Sequence, residues 1–215
     1  MSPNASPDKV RRWIASRLDP LDATILGGME GRADLSLDPA HRSDDTVAWK
    51  PAAVLVGLIE RAHGLQVLLT RRADTLRSHT GQVAFPGGRC DPGETPWETA
   101  LREAEEEVGL ERRFVSLAGL STPMLTHSGY MITPVVGFIR EGFQLAPNPQ
   151  EVADIFETPF GFLMDPANYE EHTAQLEDGL TRRYYGTTHQ DRYIWGVTAG
   201  ILRQLYERLY GAAVA

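Results

Sequence analysis

The 215-residue sequence holds one cysteine, Cys90, and only two lysines. A lone cysteine forms neither an intrachain disulfide nor a cysteine-based zinc site, so we expect a reducing compartment. No apolar run approaches the roughly 20 residues that a membrane-spanning helix needs. The N-terminal residues hold no apolar segment of the signal-peptide kind. These absences predict a cytoplasmic protein that does not act at a membrane.

Basic residues are also in deficit. Twenty-one Lys and Arg stand against 29 Asp and Glu, a formal net charge of −8. A non-specific nucleic-acid binder needs a basic surface that neutralises phosphates, so we expect no nucleic-acid partner. The same acidity repels a small polyanionic substrate unless local arginines or a metal ion reverse the field. A hydrophobic content of 42% suffices for a packed core, and we expect one domain over residues 1–215.

Apolar patterns divide the chain into three parts. Residues 1–48 hold a helical pattern and then a long connection without periodicity. Residues 50–165 form the predicted core, and residues 166–215 add C-terminal strands and a helix. Strands and helices mix without a regular βαβ rhythm, which predicts an α+β fold or a layered αβα sandwich. The predicted strands are Ala52–Ile59, Leu65–Thr70, Val83–Phe85, Val115–Leu120, Met131–Ile139, Thr181–Tyr185 and Arg192–Trp195; the predicted helices are Pro96–Val108 and Thr198–Tyr210, with one helical turn at Phe160–Met164.

One of these helices has strong boundary signals. Thr95 fits the N-cap, Pro96 the first helical position and Glu98 the third, which together form a capping box. Gly109 supplies the stop. We therefore predict a helix of about three and a half turns between Thr95 and Gly109.

Three carboxylates of this helix, those of Glu103, Glu106 and Glu107, fall in one arc away from the apolar face. Like charges at this spacing destabilise a helix by ~0.2–0.5 kcal/mol per pair. The cluster is therefore either a solvated acidic face or a site for a hard divalent cation such as Mg²⁺ or Mn²⁺. A tight turn that ends in Gly87 and Gly88 precedes the helix, and we expect its backbone carbonyls to approach the carboxylates.

The spacing of these residues resembles the Nudix hydrolase box. Gly88 is followed after five residues by Glu94, and after seven more by Arg102-Glu103-Ala104-Glu105-Glu106-Glu107-Val108-Gly109-Leu110. Ala104 is the one weak match, since a larger aliphatic residue is common at that position of the box. The resemblance implies a Nudix-type αβα sandwich with a central mixed sheet, here with N- and C-terminal helices. It also implies hydrolysis of a nucleoside diphosphate linked to another group, and an ion pair between Arg102 and Glu94.

The resemblance further implies the roles of the carboxylates. Glu103 and Glu107 are the expected principal ligands of Mg²⁺ or Mn²⁺. Glu106 is expected as a further ligand or as the base that acts on a water molecule. A carbonyl of Gly87 or Gly88 is expected to complete the metal site.

The stretch before the box resembles the signature of the coenzyme A pyrophosphatase subgroup. The resemblance implies coenzyme A, or a derivative, as the small-molecule substrate. Arg71, Arg72 and Arg77 are expected to bind its phosphates, because a guanidinium pairs bidentately with phosphate; the alternative is a set of surface arginines. The matching positions are Leu68, Leu69, Thr70, Arg72, Ala73, Arg77, Gly81 and Phe85-Pro86-Gly87-Gly88, with weaker likeness at Asn148–Val152 and Arg192–Ala199.

Some alternatives stay open at this point. Glu151 is a candidate distal base, whereas His79, His127 and Cys90 are expected to be structural or without a role. Another substrate, such as ADP-ribose or a nucleotide sugar, would suit the same box. A catalytically silent Nudix fold that senses a ligand is the remaining alternative, and a homodimer is the assembly we consider.

Overall fold

The computed structural model describes residues 7–28, 49–74, 81–126, 128–175 and 181–211. Over these ranges the chain forms an eight-stranded mixed sheet, a separate three-stranded sheet and four α-helices. The strands are β1 (Lys50–Arg61), β2 (Gly64–Arg72), β3 (Val83–Ala84), β4 (Gly87–Arg89), β5 (Val115–Leu120), β6 (Met124–Leu125), β7 (Tyr130–Ile139), β8 (Val152–Pro159), β9 (Glu170–Gln175), β10 (Thr181–His189) and β11 (Arg192–Trp195). The helices are α1 (Pro7–Ala15), α2 (Pro96–Val108), α3 (Phe160–Leu163) and α4 (Gly196–Tyr210).

The large sheet is built around β1. Its main path runs β3-β2-β1-β7-β5, with β4 paired to β1, β6 to β7 and β8 to β2. Among the strands that the structure describes, only the β1–β7 pair is parallel, from Lys50 opposite Tyr130 to Ile59 opposite Ile139. The predicted hairpin of β1 and β2 is confirmed by its register, with Leu58 opposite Val67. The small sheet has the order β11-β10-β9.

Alternation along the strands creates two apolar layers, one on each face of the large sheet. Leu68 of β2 packs with Ala100 and Ala104 of α2 in one buried cluster. Its neighbour Leu69 belongs to the opposite cluster, together with Ile14 of α1 and Leu202 of α4. The sheet therefore lies between α2 on one side and α1 with α4 on the other, and the predicted α+β class with αβα layering is confirmed.

The predicted turn at Gly87 and Gly88 is wrong. These residues begin β4, in which Gly88 lies opposite Ala53 of β1. A side chain at Gly87 would overlap the backbone of β1, so only glycine allows this close pairing. The pairing holds the backbone of β4 beside α2.

No strand was predicted where β4, β6, β8 and β9 lie. β8 has a bulge at Ala153, because Arg71 lies opposite Asp154 while Arg72 lies opposite Val152. The bulge breaks the alternation of apolar and polar residues on which sequence interpretation depends. β9 is a polar edge strand with mostly exposed residues, so it lacks an apolar signal altogether.

The N-terminal segment packs on the rest of the fold. An ion pair of 2.7 Å joins Arg208 of α4 to Asp19, and both side chains are largely buried. Asp19 also forms an isolated bridge with Leu120 of β5. Most of the predicted connection to residue 48 lies outside the described residues. Among the described residues, every helix is too short or too polar to cross a membrane.

Candidate active site

Helix α2 carries the carboxylates, and its boundaries are those predicted. The backbone N–H of Glu98 donates to the Thr95 hydroxyl, and the backbone N–H of Thr95 donates to the Glu98 carboxylate at 2.8 Å. Gly109 ends the helix in the left-handed conformation, with φ of 69°. Both ends are thus defined by local hydrogen bonds, which fixes the direction of each carboxylate on the helix.

The three carboxylates do not share one solvated face, which was one of the two alternatives that the helical wheel left open. Glu107 is buried, with 4% of its surface exposed. The Glu103 side chain is 14% exposed and the Glu106 side chain 56% exposed. The physical reason is tertiary, because β4 and the segment that precedes β8 cover the helix on this side.

Glu107 lies in the most enclosed position. Its Oε2 accepts a hydrogen bond of 3.2 Å from the backbone N–H of Gly87. Burial raises the pKa of Glu107 to about 8, and the charges of Glu103 and Glu151 act in the same direction. The Gly87 hydrogen bond and the charge of Arg72 oppose that rise in pKa. Glu107 is therefore a buried acid with more negative than positive charge around it.

Glu103 lies directly against the backbone of β4. A Cβ atom at Gly88 would overlap the Glu103 carboxylate, so glycine is required for this approach. Burial raises the pKa of Glu103, while Arg102 lowers it. The backbone of Gly87 and Gly88 thus contacts two of the three predicted metal ligands.

Arg102 joins the box to its preceding loop. Its guanidinium contacts Glu94 at 2.8 Å, Glu103 at 2.9 Å and Glu106 at 3.1 Å. The Arg102 hydrogen bond is the main reason that the pKa of Glu94 falls to about 2. The implied ion pair between Arg102 and Glu94 is therefore formed, and the same cation also reduces repulsion along the helix.

Glu151 lies near the same carboxylates although it comes from a distant part of the chain. Its charge raises the pKa of both Glu103 and Glu107. The preceding segment is tied to α2, because the backbone N–H of Asn148 donates to the Glu107 carbonyl at 2.8 Å. The Asn148 side chain also donates to Glu151 Oε1 at 3.3 Å. Asn148 thus holds Glu151 in place, a role that sequence reasoning missed; the only signal was the weak likeness at Asn148–Val152.

Two of the three predicted phosphate-binding arginines, Arg71 and Arg72, are among the described residues, and they have different surroundings. The positive charge of Arg72 lowers the pKa of Glu107. The Nε of Arg72 is buried without a hydrogen-bond partner among the described residues. Arg71 instead pairs with Asp74 at 2.9 Å and lines a cavity beside β11. Arg77, like His79 and His127, lies outside the described residues. Cys90 is buried.

The donor set is that of a hard divalent cation. All the candidate ligands are oxygens, namely the three carboxylates and the carbonyls of Gly87 and Gly88. In the ranges that the structure describes, no three His, Cys, Asp or Glu side chains are already gathered around a metal position. Arg102 and Gly87 hold the carboxylates instead. The excess negative charge around Glu107 nevertheless fits a bound cation.

Comparisons with known proteins agree with this geometry. Residues 49–176 match the NUDIX domain family. The chain is 41% identical over 160 residues to the uncharacterized Nudix hydrolase NudL of Yersinia pestis, which covers 74% of this chain and 79% of the relative. NudL of Yersinia pseudotuberculosis matches equally well.

Solved structures give weaker likenesses. The Nudix hydrolase RenU of M. smegmatis is 26% identical with a TM-score of 0.45, covering 53% of this chain and 72% of that one. An Ap4A hydrolase of C. elegans is 19% identical with a TM-score of 0.46, covering 51% and 80%. The family match extends over more than half of the chain, and the NudL relatives over about three quarters of it. This chain therefore belongs to the Nudix hydrolase family.

Proposed function

We propose that this Nudix hydrolase cleaves the diphosphate of coenzyme A or its derivatives. The reaction adds water across one P–O–P bridge and yields 4′-phosphopantetheine, or its acylated form, and adenosine 3′,5′-bisphosphate. The observation that carries the proposal is the position of Arg72, a residue of the coenzyme A signature. Arg72 lowers the pKa of Glu107 by its positive charge, and its buried Nε has no hydrogen-bond partner among the described residues. A phosphate oxygen is a strong acceptor for such a guanidinium.

The residues that would hold the metal are Glu103, Glu106 and Glu107, with a carbonyl of Gly87 or Gly88. Bound Mg²⁺ or Mn²⁺ supplies the positive charge that neutralises a diphosphate and activates water. Arg72 orients the phosphates beside this centre, and Gly88 keeps the backbone close enough for the carbonyls to contribute. The acidic surface then no longer repels the substrate, because local cations face it.

Two carboxylates are candidates for the base that takes the proton from the attacking water. The negative charge of Glu151 raises the pKa of both Glu103 and Glu107. The Asn148 side chain orients Glu151 by a hydrogen bond. Glu106 is more exposed and pairs with Arg102 at 3.1 Å. The geometry favours Glu151, since its carboxylate is held by a neutral amide rather than by a cation. Glu151→Gln should then remove the acidic limb of the kcat–pH profile, whereas Glu106→Gln should retain it.

The test is a substrate panel with Mg²⁺ or Mn²⁺ present. Coenzyme A, acetyl coenzyme A, ADP-ribose and a nucleotide sugar are incubated with the full chain, and the products are separated by chromatography. We expect adenosine 3′,5′-bisphosphate from coenzyme A at the highest kcat/KM. Rapid cleavage of ADP-ribose without release of adenosine 3′,5′-bisphosphate would overturn the proposal, and no cleavage of any substrate would favour a silent ligand sensor.

The helix itself provides a matched control. Glu105 lies between two proposed metal ligands but occupies a variable position of the box, and its side chain is 47% exposed. Glu107→Gln should abolish hydrolysis, while Glu105→Gln makes the same chemical change and should leave kcat within about twofold. Equal losses in both variants would contradict the metal role of Glu107.

Three further expectations belong to the proposal. We propose that residues 1–215 act as one Nudix domain, in which α1 and α4 pack on the core. We also propose a cytoplasmic location, since one cysteine suits a reducing compartment. A homodimer stays a prediction, which sedimentation of the full chain tests directly.

A further inference from the structure

A cavity of about 490 Å³ lies on the face of the large sheet opposite α2. It is bounded by the end of β2, by the residues leading into β3 and by β11, and its lining includes Arg71, Val83, Asp191, Arg192, Tyr193 and Trp195. This volume is typical of a small-molecule site. None of the residues implied by the Nudix box lines it, so the cavity is separate from the carboxylate cluster.

Two aromatic rings form one wall of this cavity. The rings of Tyr193 and Trp195 are stacked with an interplanar angle of 12° and a centroid distance of 6.4 Å. They are 44% and 37% exposed, so both retain open ring surface. Gly186 of β10 permits this arrangement, because a side chain there would overlap the Tyr193 ring. Two nearly parallel rings with open surface therefore border the cavity.

The charges of the cavity decide which chemical class it suits. Arg71 is paired with Asp74 at 2.9 Å. Arg192 is paired with Asp154 at 2.7 Å and with Oδ1 of Asp191 at 3.3 Å. Two cations thus face three carboxylates, so the cavity offers no net positive charge to a phosphate. It suits an uncharged planar group with a hydrogen-bond donor, for which the second oxygen of Asp191 is an acceptor.

We propose that this cavity binds the adenine base of the substrate, with the ring on Tyr193 and Trp195 and the exocyclic amine toward Asp191. The inference rests on the proposed function, in which the substrate is an adenine-bearing diphosphate. Stacking on aromatic side chains is a sequence-independent way to bind a base, and the carboxylate adds preference for a base with an amine. Arg72, the proposed phosphate-binding residue, directly follows Arg71 of the cavity lining.

The chain connects the two sites directly. Arg71 lines the cavity, whereas the charge of the adjacent Arg72 lowers the pKa of Glu107. The two side chains differ in this way because successive residues of a strand point to opposite faces. The bulge at Ala153 keeps the neighbouring strand in step: Asp154 lies opposite Arg71 and Val152 opposite Arg72. One strand end thus separates a base site from a phosphate site.

The first test measures binding of three ligands to the full chain by calorimetry. AMP and ribose 5-phosphate differ only by the base, and IMP carries a carbonyl where AMP has the amine. We expect AMP to bind about 5- to 100-fold more tightly than ribose 5-phosphate, with IMP between them. Equal affinity for AMP and ribose 5-phosphate would overturn the proposal, because phosphate alone would then account for binding.

Two variants test which side chains of the cavity contribute to AMP affinity. Trp195→Ala should reduce AMP affinity about 5- to 100-fold without changing ribose 5-phosphate affinity. Asp191→Ala, at a side chain that is 81% exposed, should remove the preference for AMP over IMP. The control is Tyr210→Ala, which removes an equally exposed, stacked aromatic ring. Tyr210 lies at the far end of the 15-residue helix α4, about 20 Å from Trp195.

The outcomes separate this inference from the proposed function. Absence of coenzyme A hydrolysis, with the expected AMP pattern in all variants, would refute the substrate but support the base site. Normal hydrolysis of coenzyme A, with unchanged KM and AMP affinity in Trp195→Ala, would support the substrate and refute the base site. Equal losses of AMP affinity in Trp195→Ala and Tyr210→Ala would also refute it.

Discussion

Glu107→Gln should make the metal-free protein more stable while abolishing its hydrolytic activity. Burial raises the pKa of Glu107 to about 8 from an ordinary value of 4.5. The folded state therefore binds a proton that the unfolded chain releases between these two values. The contribution of Glu107 to stability is fully present below pH 4.5 and is lost as the pH rises through 8. Glutamine stays uncharged over this range, so the variant avoids that loss.

The magnitude follows from the same pKa values. A pH of 7 is two and a half units above the ordinary pKa of 4.5 that the unfolded carboxyl has. Each unit of difference corresponds to about 1.36 kcal/mol of free energy. The folded carboxyl is still mostly protonated at this pH, so the variant should gain up to about 3 kcal/mol. For a chain of this size, 1 kcal/mol shifts Tm by about 2–4 °C. We expect a rise of roughly 6–12 °C in Tm at pH 7 and almost none at pH 4.

The assay is thermal unfolding in EDTA and again with saturating Mn²⁺. Mn²⁺ should stabilise the wild-type protein by mass action, by about 2.7 kcal/mol at a hundred times its Kd, and should leave Glu107→Gln nearly unchanged. Glu105→Gln, at an exposed site, should shift stability by no more than about 0.5 kcal/mol. The reasoning is refuted if Glu107→Gln melts below the wild type in EDTA, or if Mn²⁺ stabilises both proteins equally.

Three further changes test the supports of the site. Gly88→Ala places a methyl group against the Glu103 carboxylate and should weaken Mn²⁺ binding, measured by electron paramagnetic resonance, at least about 10-fold (~1.4 kcal/mol); Gly161→Ala, which meets nothing within 4 Å, should not. Asn148→Ala removes the hydrogen bond to Glu151 and should lower kcat about 10-fold with little change in KM, whereas an unchanged kcat would disprove the positioning role. Arg208→Ala removes the cation beside the largely buried Asp19 and should cost about 2 kcal/mol in urea unfolding, with kcat retained at low temperature. A stability loss below about 0.5 kcal/mol would show that this ion pair does not hold the N-terminal segment.

Local signals in the sequence predict much of the scaffold. The capping box at Thr95 and the stop at Gly109 define α2 through hydrogen bonds within a few residues of each other, so the helix could be located from sequence alone. The hairpin of β1 and β2 has the same character, because its apolar runs are adjacent in the chain. The mix of strands and helices predicts the layered architecture, but only the resemblance to the family implies a central mixed sheet, because the pairing of β1 with the distant β7 has no local signature.

The environment of the carboxylates could not be predicted in the same way. A helical wheel places Glu107 with Glu106, yet their exposures differ, because β4 and the segment around Asn148 cover Glu107 and leave Glu106 exposed. Burial by distant segments is a tertiary property that a helical period does not contain. The separation of Arg71 from Arg72 has a similar origin, because a signature lists neighbours without indicating which side of a strand each one faces.

The bulge at Ala153 has a consequence for how related chains can diverge. Arg71 lies opposite Asp154 and Arg72 opposite Val152, so Ala153 is the one residue of β8 without a partner in β2. Deletion of Ala153 would make the pairing of the two strands continuous. No side chain of the sheet would change faces, although a one-residue slip elsewhere in a strand inverts all of them. Glu151 would keep its place beside the end of β2, where its carbonyl accepts a hydrogen bond of 2.8 Å from the backbone N–H of Ala73. A related chain can therefore lose this one residue of β8 without moving Glu151 relative to α2.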